Sequence, residues 1–188
     1  MTSSDRTARN LELARIMFDG YHHAAERGYV DIWKKSDFAP DCVFWAPFMG
    51  EMRVDWTDPE SPEYGDGSTV QARLYWKVMP DWHAEDFAAW PTETGCASRM
   101  CWRGHTSDGE LVEMWEAQFI WTNDEGKITR FEFFDDWFRY AQVIELGTGL
   151  TLDDMAAGKY IDAIFAAHAA DPVTVESLKA AAAASEAQ

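Results

Sequence analysis

Cysteine is scarce in this chain of 188 residues, which has only Cys42, Cys96 and Cys101. An odd number, at spacings that match neither a disulfide framework nor a zinc knuckle, argues against a stapled scaffold and suits a reducing compartment. Positive charge is also in short supply: 16 Lys and Arg face 33 Asp and Glu, for a net charge of -17. The summed field repels phosphate backbones and anionic lipid, so neither nucleic acid nor a membrane is an expected partner. No hydrophobic run approaches the roughly 18 apolar residues of a membrane span, and Met1 to Asn10 lack the apolar segment of a secretory signal. A cytoplasmic protein is the expectation. Also missing are a glycine-rich phosphate loop, a His-Glu-x-x-His and a Cys-x-x-Cys, so neither cofactor nor metal is expected.

Large flat side chains are abundant instead, with ten Trp and eleven Phe. Apolar residues at Leu11, Ala14, Phe18, Tyr21 and Ala25 lie on one helical face, predicting a helix over Asp5 to Arg27 that Gly28 closes. A short helix from Tyr29 to Lys35 is expected next, then a strand from Asp41 to Ala46 stopped by Pro47. Residues 50 to 69 read as a long acidic loop, a candidate lid, and Val70 to Met79 as a helix ended by Pro80. Strands are predicted at Trp82 to Trp90, Glu93 to His105, Glu110 to Thr122 and Lys127 to Phe138. Polar connections at 106 to 109 and 123 to 126 each end in Gly, as hairpin loops do, and imply an antiparallel meander. Thr151 and Asp154 make a capping pair ahead of a helix over Leu152 to Ala169, and Asp171 with Pro172 starts a last one. Helices first and sheet after is an α+β pattern, and the length fits one domain over residues 1 to 188.

The segments Phe38-Ala-Pro-Asp-Cys-Val-Phe-Trp-Ala-Pro47, Met79-Pro-Asp-Trp-His-Ala-Glu-Asp86 and Asp124-Glu-Gly-Lys-Ile-Thr-Arg-Phe-Glu-Phe-Phe-Asp135, in that order among the helices and meander, resemble the nuclear transport factor 2-like superfamily, most closely its SnoaL-like branch. The resemblance covers roughly residues 6 to 140. It implies a cone-shaped barrel with N-terminal helices packed in a curved antiparallel sheet, to which residues 151 to 188 add C-terminal helices. It also implies cofactor-free dehydratases, isomerases, cyclases or epoxide hydrolases, or subunits that only bind, and a homodimer or homotrimer. Tyr21 stands seven residues before Gly28, as the oxyanion-holding Tyr of ketosteroid isomerases does, but Ala46 and Gln118 occupy the positions of their two Asp. Limonene epoxide hydrolases pair Arg with Asp where Arg99 is followed by Cys101, and Glu132 falls near their last-strand Asp. Scytalone dehydratase carries a His pair that His83 and His105 resemble, although Arg27 and Ala46 replace its helix Asp and one Tyr. The Trp content and acidic loop also resemble bacterial diarylpropane γ-formaldehyde lyases.

These residues define an expected site. His83 and His105 titrate near neutral pH and can trade a proton; the ordinary alternative is a surface or hydrogen-bonded histidine. Tyr21 and Gln118 are candidate oxyanion donors. Glu116 and Glu132 sit on even strand positions, where an apolar pocket would raise a carboxyl pKa. Arg99, Cys101, Arg103 and His105 share one strand face; if it lines the cone, the site is cationic and suits a phenolate or carboxylate. Trp45, Trp82 and Tyr75, with Arg99, Gln118 and Glu116, are the expected substrate contacts. The expected function is a lyase or dehydratase of a small phenolic compound, in its sharpest form a lignin-derived diarylpropane. A polyketide-type cyclase or isomerase and a non-catalytic binding barrel are the alternatives.

Overall fold

The computed structural model describes residues 1–23, 35–47, 50–53 and 74–156, with a few single positions between 159 and 180. Helix α1 (Ser3–His22) opens on a capping box in which the Thr2 side chain accepts from the Asp5 N–H and Asp5 accepts from the Thr2 N–H. Its buried face, Asn10, Leu13, Ala14, Met17 and Gly20, keeps a helical spacing but is turned from the predicted one: Ala14 is buried as expected, whereas Leu11, Phe18 and Tyr21 are half-buried, and Ala25 lies outside the described residues. A 3-10 turn (Lys35–Asp37) leads into β1 (Phe38–Ala46), followed by β2 (Gly50–Arg53), a short stretch of helix at 74–78, β3 (His83–Pro91), β4 (Gly95–His105), β5 (Leu111–Thr122) and β6 (Ile128–Asp135). Two helices follow, α2 (Trp137–Thr148) and α3 (Leu152–Ala156).

The six strands form one curved, unclosed sheet in the order β2-β1-β6-β5-β4-β3. Every neighbouring pair is antiparallel except β1 with β6, which run parallel. Burial alternates strictly along β5: Val112, Met114, Glu116, Gln118 and Ile120 face inward, and Leu111, Trp115, Phe119 and Trp121 face out. Helix α1 lies across the inner face against β3, β4 and β5, and α2 against β5, with Tyr140, Val143 and Ile144 buried. Gly109 and Gly126, at φ of 83° and 74°, close the two predicted hairpins in the left-handed conformation that glycine adopts without strain. Asn10 ties α1 to the sheet, donating to the Thr92 carbonyl at 2.9 Å and accepting from the Thr122 hydroxyl at 2.8 Å.

Three expectations change. Strand β6 stops at Asp135, not Phe138, because the Asp136 carboxylate accepts from the Arg139 N–H and caps α2, a helix the sequence reading missed. Gly50–Arg53 is a strand paired with β1 and not part of the long loop. Strand β1 starts three residues early, at Phe38, and accommodates Pro40 where its register against β6 shifts. The expected helix up to residue 34, loop residues 54–69, helix residues 70–73 and most of the C-terminal helices lie outside the described residues, and Lys35 begins the 3-10 turn. No helix among the described residues is long and apolar enough to cross a membrane.

Candidate active site

The middle of the inner sheet face holds two carboxyls side by side. Glu116 on β5 stands directly across from Asp135 on β6, and the two side chains are hydrogen-bonded. Glu116 is 6% exposed, whereas Asp135, at the last position of its strand, keeps part of its surface accessible. Two further donors serve Glu116: the Trp102 indole N–H, 2.5 Å from Oε2, and the Gln118 amide, which reaches Oε1. Gln118 is fully buried and accepts in turn from the Ser98 hydroxyl at 3.4 Å.

Burial raises the proton affinity of both acids, and their proximity sets them apart. For Glu116, burial pushes the pKa up while three donors pull it back. For Asp135, burial acts first and the Glu116 charge second, holding the carboxyl well above the ordinary carboxylate range. Two carboxyls in contact do not both ionise cheaply, so both hold a proton more tightly than a free carboxyl, Asp135 the more so. The three donors around Glu116 favour it as the charged partner, with Asp135 donating to it. Tyr140 lies near the same negative charge; burial and then Asp135 hold its hydroxyl well above 10, and it is hydrogen-bonded to Tyr75.

An aromatic wall stands over the pair. Trp102 stacks on Trp82 at 4.6 Å and 18° between planes. Tyr21, from the last turn of α1, meets Trp102 edge-on at 4.9 Å and Trp82 at 5.4 Å. Tyr75 lies 4.8 Å from Trp82, and the Trp76 indole donates to the Trp82 carbonyl at 3.0 Å. Gly104 makes this arrangement possible: a Cβ there would sit 2.9 Å from Met79 Cβ and 3.1 Å from Trp82 Cα, so only glycine lets the 79–82 segment press against β4. The Trp82 Nε1 is buried without a hydrogen-bond partner among the described residues.

The structure therefore brings Tyr21, Tyr75, Trp82, Glu116 and Gln118 together and leaves the other expected residues elsewhere. Odd positions of β4 face outward, which overturns the conditional cationic lining. Arg99 is exposed over the Trp115 ring at 5.0 Å. His105 has 55% of its side chain exposed and is bonded through Nδ1 and its backbone N–H to Asp81, both at 2.7 Å. His83 pairs with Arg103 across the strands on that same outer side and contacts Glu85 at 3.1 Å, so the expected histidine pair does not share a pocket. Glu132 and Trp45 are paired on the outer face, where Arg130 binds Glu132 and Trp45 packs 5.3 Å from Phe134. Arg27 lies outside the described residues.

The sequence reading missed Asp135, Trp102 as a donor, and Tyr140. Asp135 was hidden by an irregularity in the strand ladder. Next to the hairpin Thr122 pairs with Ile128, an even sum that would have kept even positions of the two strands together; a register shift between Trp121 and Thr122 makes the sum odd, so even positions of β5 face odd positions of β6. The observed pairs Glu116 with Asp135 and Phe119 with Glu132 keep that parity. Treating the even positions of both strands as one face put Glu132 inside in place of Asp135. Tyr140 was hidden because its helix was not expected. Among the described residues, no group of three His, Cys, Asp or Glu is placed to hold a metal ion.

No protein-family model matches the chain, and no curated protein matches it. Solved structures do. A protein assigned as a SnoaL-like polyketide cyclase from a Jannaschia species is 13% identical with a TM-score of 0.52, over 73% of this chain and 92% of that one. A protein assigned as a polyketide cyclase from Bacillus cereus is 14% identical with a TM-score of 0.50, over 73% of this chain and 81% of that one. An NTF2-like protein of unknown function from Burkholderia pseudomallei is 13% identical with a TM-score of 0.50, over 72% of this chain and 97% of that one. At this identity the likeness establishes the fold, which is NTF2-like.

Proposed function

We propose that this chain is a cofactor-independent acid-base enzyme, a lyase or dehydratase acting on a small phenolic aromatic compound. The observation that carries this reading is the Glu116–Asp135 pair, two hydrogen-bonded carboxyls on the inner face whose burial raises the proton affinity of both. Such a pair keeps an acid protonated at neutral pH, which an exposed carboxyl cannot do.

In the proposed reaction Asp135, the more accessible member, is the catalytic residue and Glu116 positions and poises it. The Asp135 carboxyl gives its proton to the departing hydroxyl of the substrate, and the carbon–oxygen bond breaks to release water. The resulting Asp135 carboxylate takes a proton from the neighbouring carbon or phenol oxygen, the electron pair forms the new double bond, and the acid is restored. Glu116 keeps its charge throughout, fixed by Trp102, Gln118 and Asp135. Tyr21, Tyr75 and Trp82 supply flat surfaces on which an aromatic ring can stack, a contact of about 0.5–1.5 kcal/mol beyond area burial for each good pair.

The test is turnover by purified protein, followed by NMR, with a panel of phenolic alcohols and diarylpropane dimers; loss of water and formaldehyde from the dimers would leave a stilbene. Conversion that Asp135→Asn abolishes supports the reading. A panel left wholly unconverted sinks it.

A further inference from the structure

Apart from Asp136, which follows Asp135 in the chain, the described polar groups nearest the carboxyl pair are uncharged: the phenols of Tyr75 and Tyr140, the Gln118 amide, and the Trp102 indole, with Tyr21 and Trp82 packed on Trp102. No lysine, arginine or histidine is among the buried described residues. The strand cations lie on the other face and are engaged there, Arg103 by Glu85, Asp86 and Glu113, and Arg130 by Glu51 and Glu132. An anion entering the inner face would meet the shared carboxyl charge with no described counter-ion, in surroundings where water screens little. A neutral oxygen brings no charge of its own against the pair. The Trp82 Nε1, buried and unpartnered, is a donor whose desolvation such an oxygen can offset.

We propose that the site selects an uncharged aromatic molecule carrying a carbonyl or hydroxyl oxygen and rejects the same ring when it bears a carboxylate or phosphate. This rests on the inner-face carboxyl pair being the active site, and it reverses the charge preference a cationic lining would have given. Phenols bind in their protonated form, and a substrate born as an acid must first be esterified, amidated or reduced.

The test is isothermal titration of the full chain with methyl 4-hydroxybenzoate and with 4-hydroxybenzoate, two probes that share a ring and differ in charge. The ester is expected to bind at least tenfold more tightly at neutral pH. Glu116→Gln, which keeps shape and removes the charge, is expected to strengthen binding of the acid and leave the ester within a factor of about three. Should that variant not fold, the wild-type protein provides the same information: acid affinity rises as pH falls toward the carboxylate range of about 4–5 while ester affinity stays flat. Equal affinity, preference for the acid, or no saturable binding of either probe overturns the proposal. A retained ester preference with no turnover on the phenolic panel sinks the proposed reaction and leaves this selectivity standing.

Discussion

Replacing Asp135 by Asn separates the carboxyl pair from every other reading of this face. The substitution is isosteric, and the introduced amide can still donate to Glu116 while having no proton to lose. In the native protein burial and the Glu116 charge hold Asp135 protonated well above its ordinary 3.8, whereas the unfolded chain releases that proton near 3.8. A group that binds its proton more tightly when folded stabilises the fold at low pH. That contribution declines as pH rises from the ordinary carboxylate range toward the native pKa. With one extra proton bound by the native state, the decline is about 1.4 kcal/mol per pH unit. The Asp135→Asn variant lacks this decline. The difference in unfolding free energy, variant minus wild type, should therefore rise by about 1.4 kcal/mol for each pH unit from about pH 5 upward until native Asp135 ionises. Urea titrations of both proteins at several pH values measure this, and turnover on the phenolic panel should fall at least about 100-fold in parallel. A flat or falling difference curve would refute the shared-proton pair, whatever happened to activity.

Other substitutions test the surroundings. Trp102→Phe removes one of three donors to Glu116 and should cost about 1.5–3 kcal/mol in urea unfolding; it should also move the basic limb of the pH–rate profile upward, since the anion is less well held. His83→Ala and His105→Ala, each on the outer face, should leave kcat/KM within about threefold, and a loss of 100-fold in either would show that the inner-face assignment is wrong. Gly104→Ala pushes a methyl against Met79 and Trp82; about 1–3 kcal/mol of lost stability is expected, together with a weaker near-ultraviolet signal from the Trp82–Trp102 stack.

Much of the fold is local and so is visible in the chain. The strict alternation of Leu111–Thr122 can only be a half-buried strand, and Asn123 to Gly126 can only join it to a neighbour by a short turn. The Thr151 and Asp154 capping pair is present as expected, with the Thr151 hydroxyl accepting from the Asp154 N–H at 3.3 Å. Failures cluster where one residue changes the meaning of its neighbours. Asp136 converts the end of a predicted strand into the cap of α2, and that change conceals Tyr140.

Alternation along a strand follows from backbone geometry, so the sequence alone determined that Glu116 and Gln118 share one face of their strand and that Arg99 and His105 share one face of theirs. It did not determine which face looks inward, because both carry charged and apolar residues and either would read as amphipathic. That was decided by α1 and the 74–82 segment, which cover the even side of β4 and β5 and leave Arg99, His105, Trp115 and Phe119 exposed on the odd side. Register decided the rest: the shift between Trp121 and Thr122 set Asp135 against Glu116 and sent Glu132 outside. A shared proton needs two carboxyls in contact, and contact across strands is a property of the assembled sheet.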